Sequence, residues 1–157
     1  RARAAINLHV LIVIASAFGL SAAVVSSGLA RELATAMVDL VGGFPPWVLL
    51  AAVYVVTAVM TDLLSNQAAA ALITPIALTV ATQVGPGGAG VDPRPYAVAV
   101  AIAASMSFIT PLGYQTNLMV YGPGGYRFSD FARIGVPMAL VVFVVSMLCI
   151  PAVWPLT

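Results

Sequence analysis

Two short runs hold most of the polar side chains within this chain's apolar interior: Thr61-Asp62-Leu63-Leu64-Ser65-Asn66-Gln67 and Thr110-Pro111-Leu112-Gly113-Tyr114-Gln115-Thr116-Asn117. Amides, hydroxyls and a carboxylate are costly at membrane depth unless they find partners, so their presence there points to a binding site for a polar solute or ion. In the first run Ser65 and Asn66 are good N-caps for a helix starting near Gln67, and the alanines at 68 to 71 favour that helix. A buried helix start offers free N–H groups and a positive dipole end, which suits an anion. The preceding helix, ending near Leu63, offers free carbonyls and a negative end, which suits a cation. The second run repeats the arrangement, with carbonyls freed around Thr110 to Gly113 and a new helix start near Thr116 and Asn117. Paired broken helices at mid-membrane are how secondary transporters hold a substrate beside its coupling ion.

The elements that must position these runs are membrane elements. Of 157 residues 62% are hydrophobic and only 7% charged, and the mean hydropathy is +1.08, which excludes an ordinary soluble domain. The six basic residues are all arginine, and a net charge of +1 gives no basis for nucleic-acid binding. Cys149 is the single cysteine, so no internal disulfide forms. The expected fold class is all-α: a polytopic membrane protein with a discontinuous transmembrane helix, to which the family resemblance given below adds a re-entrant helical hairpin. The chain opens Arg1-Ala2-Arg3 and reads as a piece of a longer protein.

Residues 5–27 are almost unbroken apolar sequence, enough at about 1.5 Å per residue to cross a core of roughly 30 Å. Residues 28–41 carry Arg31, Glu32, Thr35 and Asp39 on one side of a helical period and read as an interfacial helix, ended by Gly42-Gly43-Phe44-Pro45-Pro46. Residues 47–85 are nearly twice the length a bilayer needs, so they must fold back at the Asp62–Gln67 interruption, either as a re-entrant hairpin or as two full spans, both of which return the chain to the same face. The glycine- and proline-rich stretch from Gly85 to Pro95 is a solvent-exposed turn. Residues 96–121 form a transmembrane helix broken at Pro111 and Gly113, and 131–154 the last span, with Ser129 as its N-cap and Asp130 in its first turn. Threading these spans puts Arg1, Arg3, Arg127 and Arg133 on one face and Arg31 and Arg94 on the other, which makes the first face cytoplasmic. No arginine lies inside a span, so an anion would be held by dipoles, amides and a co-bound cation.

At these residues the chain resembles a known family. Ser65-Asn66-Gln67 with its apolar continuation to Pro75 is similar to the Ser-Asn-Thr signature of the divalent anion:sodium symporters. The stretch from Ser105 to Asn117, continuing through Tyr121-Gly122-Pro123-Gly124-Gly125-Tyr126, resembles the branch of anion and sulfate permeases that carries cytoplasmic regulatory domains of the TrkA-C type. The likeness covers nearly all of the chain and corresponds to the second of two inverted repeats. It implies that the Ser-Asn-Gln turn is the tip of a re-entrant hairpin and that 111–117 is the unwound middle of the next helix. It implies a sodium ion bound by Thr61, the Leu64 carbonyl, Asn66 and the Gly113 carbonyl, with substrate oxygens at Ser65, Asn66, Gln67, Gln115 and Thr116. It further implies a multi-pass protein of the cell membrane that works as a homodimer by an elevator motion, together with an N-terminal repeat outside this chain. Gln67 stands where the signature has threonine, and Gly113-Tyr114-Gln115-Thr116 departs from the family's Ala-Thr-Pro-Pro-type run, so a di- or tricarboxylate preference does not carry over.

The function expected is sodium-coupled uptake of a small anion such as sulfate or a dicarboxylate, with no cofactor beyond the coupling ion and no enzymatic activity. Two other readings stay open on sequence: a proton-coupled or antiporting permease, for which Asp62 is the supporting residue, and a non-transporting multispan subunit. Asp62 itself reads either as a bland local residue, capping, pairing or facing water at the hairpin tip, or as a direct ligand. Tyr114 reads as a membrane-interface anchor, His9 as a packing or interfacial residue, and Gly122-Pro123-Gly124-Gly125 as a turn, because no Lys-Ser or Lys-Thr follows it.

Overall fold

A computed structural model of the protein describes residues 16, 19, 22–23, 26–41, 44–83, 90–111 and 114–156. The expected span at 5–27, with His9, Arg1 and Arg3, therefore lies almost wholly outside the described residues, as does Gly113. The described residues form an all-α assembly. Its elements are α1 (Leu29–Val41), α2 (Pro46–Leu63), α3 (Asn66–Gln83), α4 (Arg94–Ala104), α5 (Gln115–Tyr121) and α6 (Phe128–Val153).

Gly28, at φ +81°, lets the chain turn into α1, a conformation glycine adopts without a Cβ penalty. α1 packs on α3 through Met37 and Val38, while Arg31 and Glu32 stay exposed. Pro46 opens α2 at the first helical position, where its missing N–H loses nothing. Leu49, Leu50, Val53, Tyr54, Thr57 and Thr61 recur at helical spacing and are buried, so α2 presents one continuous face to α4 and α3. At Leu64 the backbone turns extended, and the Leu64 N–H closes the helix on the Met60 carbonyl at 2.8 Å. α3 starts two residues later. α3 and α4 meet through small residues, with Ala69, Ala77, Ala81, Ala99 and Ala103 all buried, which lets backbones approach as membrane helices commonly do.

α2 and α6 are long and apolar enough to cross a membrane, with mean hydropathies of 1.7 and 2.6. Few α6 residues are buried, and Ile134, Leu140, Val141 and Leu148 project outward, the pattern of a helix whose apolar flank faces lipid or further apolar protein. Tyr54 of α2 meets Phe143 of α6 edge-to-face, with ring centroids 5.3 Å apart.

Three helix ends differ from their sequence expectation. The last helix begins at Phe128, and its start is held by Asp130, whose Oδ2 accepts the Arg127 N–H at 2.7 Å; Ser129 lies inside the helix and does not cap it. α4 begins at Arg94, supported by Asp92 Oδ1 accepting the Arg94 N–H at 2.9 Å. It ends at Ala104, well before Pro111. The last turn tightens as Ser105 and Met106 donate to the Ile102 and Ala103 carbonyls, and the described residues 105–111 and Tyr114 are not helical. The physical reason is tertiary: side chains and carbonyls of α2 supply the partners that a continued helix would have supplied.

α6 lies against this irregular segment at Gly135. A Cβ on Gly135 would collide with the Phe108 carbonyl and with Ile109 Cα, backbone atoms that cannot move aside as a flexible side chain can. Gly135→Ala in the full-length protein is expected to destabilise it by about 1–3 kcal/mol, the usual cost of overpacking. Gly122→Ala, at a position with open space around it, serves as the control. Equal thermal stability of the two variants in detergent would show that the close approach at Gly135 does not matter.

Candidate functional site

The end of α2 is the anchor of the site. Thr61 and Asp62 occupy its last turn, and both are buried, Asp62 with only 7% of its surface exposed. The Thr61 hydroxyl lies 2.6 Å from the Ala104 carbonyl, the last residue of α4, and 2.9 Å from Asn66 Oδ1 at the start of α3. One hydroxyl proton serves one acceptor at a time. When it points to Ala104, the Asn66 oxygen and the Thr61 lone pairs stand side by side, an oxygen-rich arrangement that favours a cation.

Asp62 faces the irregular segment. Its Oδ1 accepts the Thr110 N–H at 3.4 Å and the Ser107 hydroxyl at 3.5 Å, and its own carbonyl accepts the Thr110 hydroxyl at 3.1 Å. The Ser107 hydroxyl also lies 3.4 Å from the Thr61 carbonyl. Ser107 and Thr110 are thus held to the α2 terminus by both side chain and backbone. Of the two readings left open for Asp62, the geometry is that of a local partner.

On the other side, Asn117 of α5 donates from Nδ2 to the Ser107 carbonyl at 3.2 Å and the Thr110 carbonyl at 3.4 Å. Ser65 caps α3: its hydroxyl accepts the Ala68 N–H at 3.3 Å and its carbonyl the Ala69 N–H at 2.9 Å. The Asn66 and Gln67 N–H groups at the helix start have no intrahelical partner.

The two polar runs meet. A cavity of ≈ 410 Å³ lies between them, lined by Asn66, Ser105, Ser107, Phe108, Tyr114, Thr116 and Asn117. Of the residues expected to meet substrate, Asn66 and Thr116 line it, while Ser65 and Gln67 are exposed and do not. Gln115 opens α5, but its side chain lies outside what the structure describes. Of the residues expected to meet a cation, Thr61 and Asn66 are adjacent, Leu64 sits in the turn between them, and Gly113 is outside the described residues. Ser105, Ser107, Tyr114 and Asn117 were not among the expected site residues. The two serines, in an otherwise apolar run, were the signal that could have found them. Tyr114, half exposed, borders the cavity; its expected role as an interface anchor is untested by this placement.

Among the described residues the cavity wall holds hydroxyls, amides and the two aromatic rings of Phe108 and Tyr114, with no cationic side chain. Among the described residues no group of three or more His, Cys, Asp or Glu side chains could hold a metal ion. This chemistry suits hydrogen bonding to a polar solute and neutral-oxygen coordination of an alkali cation.

The model of the citrate transporter family matches residues 1–103, a stretch that includes the first polar run. An uncharacterized transporter of Synechocystis is 39% identical over 150 residues, covering 96% of this chain and 24% of that protein. Probable sodium/sulfate cotransporter 3 of Chlamydomonas reinhardtii is 41% identical over 159 residues, covering 98% of this chain and 17% of its own length. Sodium/sulfate cotransporter 1 of the same alga is 37% identical over 145 residues, covering 92% and 16%. The chain thus spans about a quarter or less of the curated relatives it matches. With the family model matching well over half of its residues, this chain belongs to the citrate transporter family of membrane transporters, in keeping with its resemblance to the divalent anion:sodium symporters.

Proposed function

We propose that the chain forms one half-site of a sodium-coupled secondary transporter for a small oxyanion, with sulfate the leading substrate. The observation that carries this reading is the single cavity into which both helix breaks project, Asn66 from one and Tyr114, Thr116 and Asn117 from the other. The relatives named as sodium/sulfate cotransporters support the choice of sulfate. Sodium would sit beside Thr61 Oγ1 and Asn66 Oδ1, completed by the carbonyls of Leu64 and Gly113. The anion would then meet Asn66, Thr116 and the free N–H groups at the start of α3, with Ser65, Gln67 and Gln115 on the rim. A cation bound there supplies the positive charge that the cavity wall lacks, so anion affinity rises when sodium is present, and by linkage the reverse holds.

In this reading Leu64–Ser65 is the tip of a re-entrant hairpin in a multi-pass protein of the cell membrane. The half-site travels in an elevator motion within a homodimer, and an N-terminal repeat supplies the opposing half-site. Regulatory cytoplasmic domains belong to the same full-length protein. The hydrogen bonds of Asp62 to Ser107 and Thr110 favour sodium over proton coupling, because they commit the carboxylate to holding the break.

Uptake of labelled sulfate into vesicles carrying the full-length protein is expected to require an inward sodium gradient. Uptake driven equally well by a proton gradient in sodium-free buffer would remove the proposed coupling. Asn66→Ala should lower sodium-driven uptake by about 10–100-fold, the range for losing a hydrogen bond or ligand to a charged partner worth about 1.5–3 kcal/mol. Thr61→Val, which keeps the side-chain shape and removes the hydroxyl, should raise the sodium KM by about tenfold with a smaller change in sulfate KM at saturating sodium. The opposite split between the two constants would place Thr61 with the anion.

A further inference from the structure

We infer that Asn117 is a positioning residue for the coupling-ion site: it braces the unwound segment from the α5 side and does not bind the transported anion. This rests on the sodium-coupled reading above. The carboxamide of Asn117 has two N–H donors on one nitrogen, and that nitrogen reaches two carbonyls three residues apart, Ser107 and Thr110. Both carbonyls belong to the stretch that left the α4 helix and so lost their helical partners. The same two residues are held from the opposite side by the end of α2, Ser107 through the Thr61 carbonyl and Asp62, Thr110 through the carboxylate and carbonyl of Asp62. The segment is therefore clamped between a carboxylate that accepts and an amide that donates. Thr61, at the α2 end of that clamp, is also the residue whose hydroxyl stands between Ala104 and Asn66. Ser107 joins the two ends: its carbonyl accepts from Asn117 and its hydroxyl lies against the Thr61 carbonyl, so loosening the clamp at Asn117 is felt at the α2 terminus that carries Thr61.

An oxyanion needs donors, and the Asn117 donors are already spent on Ser107 and Thr110. Its remaining oxygen is an acceptor, which repels an anion. Asn117 also borders a second cavity of ≈ 350 Å³, lined with Phe108, Tyr126, Phe131 and Met138, so together with Phe108 it forms the partition between the polar cavity and an apolar one. An amide at that position satisfies carbonyls that the break leaves without helical partners.

The test uses full-length protein in proteoliposomes, with sodium and sulfate KM values measured for wild type, Asn117→Ala, Asn117→Leu and Asn117→Gln. Leucine keeps the approximate shape and removes both donors without adding charge; glutamine keeps both donors on a longer arm. Alanine and leucine are expected to raise the sodium KM at least tenfold, with sulfate KM at saturating sodium changed less than threefold, and glutamine to recover part of the loss. A rise confined to sulfate KM would make Asn117 a direct substrate ligand and overturn the inference. Unchanged constants in alanine and leucine would overturn it too, as would failure of both to yield folded protein, which would make the role one of bulk stability. Sodium-independent uptake by wild type would instead bring down the functional reading, so the two failures are distinguishable.

Discussion

The structure depends on one constraint: every backbone polar group freed by breaking a helix inside an apolar environment must find a partner there. Among the described residues two breaks occur, at Leu64–Ser65 and over 105–111, and the last turn of α2 answers for both. Thr61 reaches Ala104 and Asn66; Asp62 reaches Ser107 and Thr110. Because these partners sit at fixed places on a rigid helix, they decide where α4 stops and how the irregular segment lies. The close approach of α6 at Gly135 and the amide of Asn117 hold that segment through further contacts.

The scaffold around the breaks is made to be tight rather than bulky. Alanines line the contact of α3 with α4, and the large buried side chains, Leu49, Leu50 and Tyr96 among them, sit at the end of the assembly away from the breaks. Tyr96 ties that end together by donating its hydroxyl to the Pro46 carbonyl at 3.4 Å. Close backbone approach trades side-chain entropy for van der Waals contact, which suits helices whose surroundings are as apolar as their own side chains.

Neutrality of the cavity wall has a functional consequence under the proposed function. A fixed arginine would bind an anion whether or not sodium were present. A wall of hydroxyls, amides and helix-terminal N–H groups leaves the anion dependent on a second, mobile charge, and that dependence is what coupling requires. The exposed apolar flank of α6 is that of a helix set against lipid or further apolar protein.

What the sequence by itself determined are the features set by local chemistry. Composition and apolar run length decide a helical membrane protein. Ser65 ahead of an alanine run decides the start of α3, Gly28 the entry to α1, and the amides and hydroxyls at 61–67 and 110–117 the neighbourhood of the site. These follow from residues within one or two helical turns, so they are readable without knowing the fold. Only the tertiary structure decided that α4 ends at Ala104, that Asp62 is a hydrogen-bond partner of the break, that Ser105, Ser107, Tyr114 and Asn117 border the cavity, and that Gly135 admits a backbone. Each of these depends on a group brought close by folding from another helix or across the break, such as Asp62 to Thr110 across 48 positions of sequence. Hydrogen-bond satisfaction in an apolar interior is a property of the whole assembly, and no local pattern of residues encodes which distant carbonyl or carboxylate will supply it.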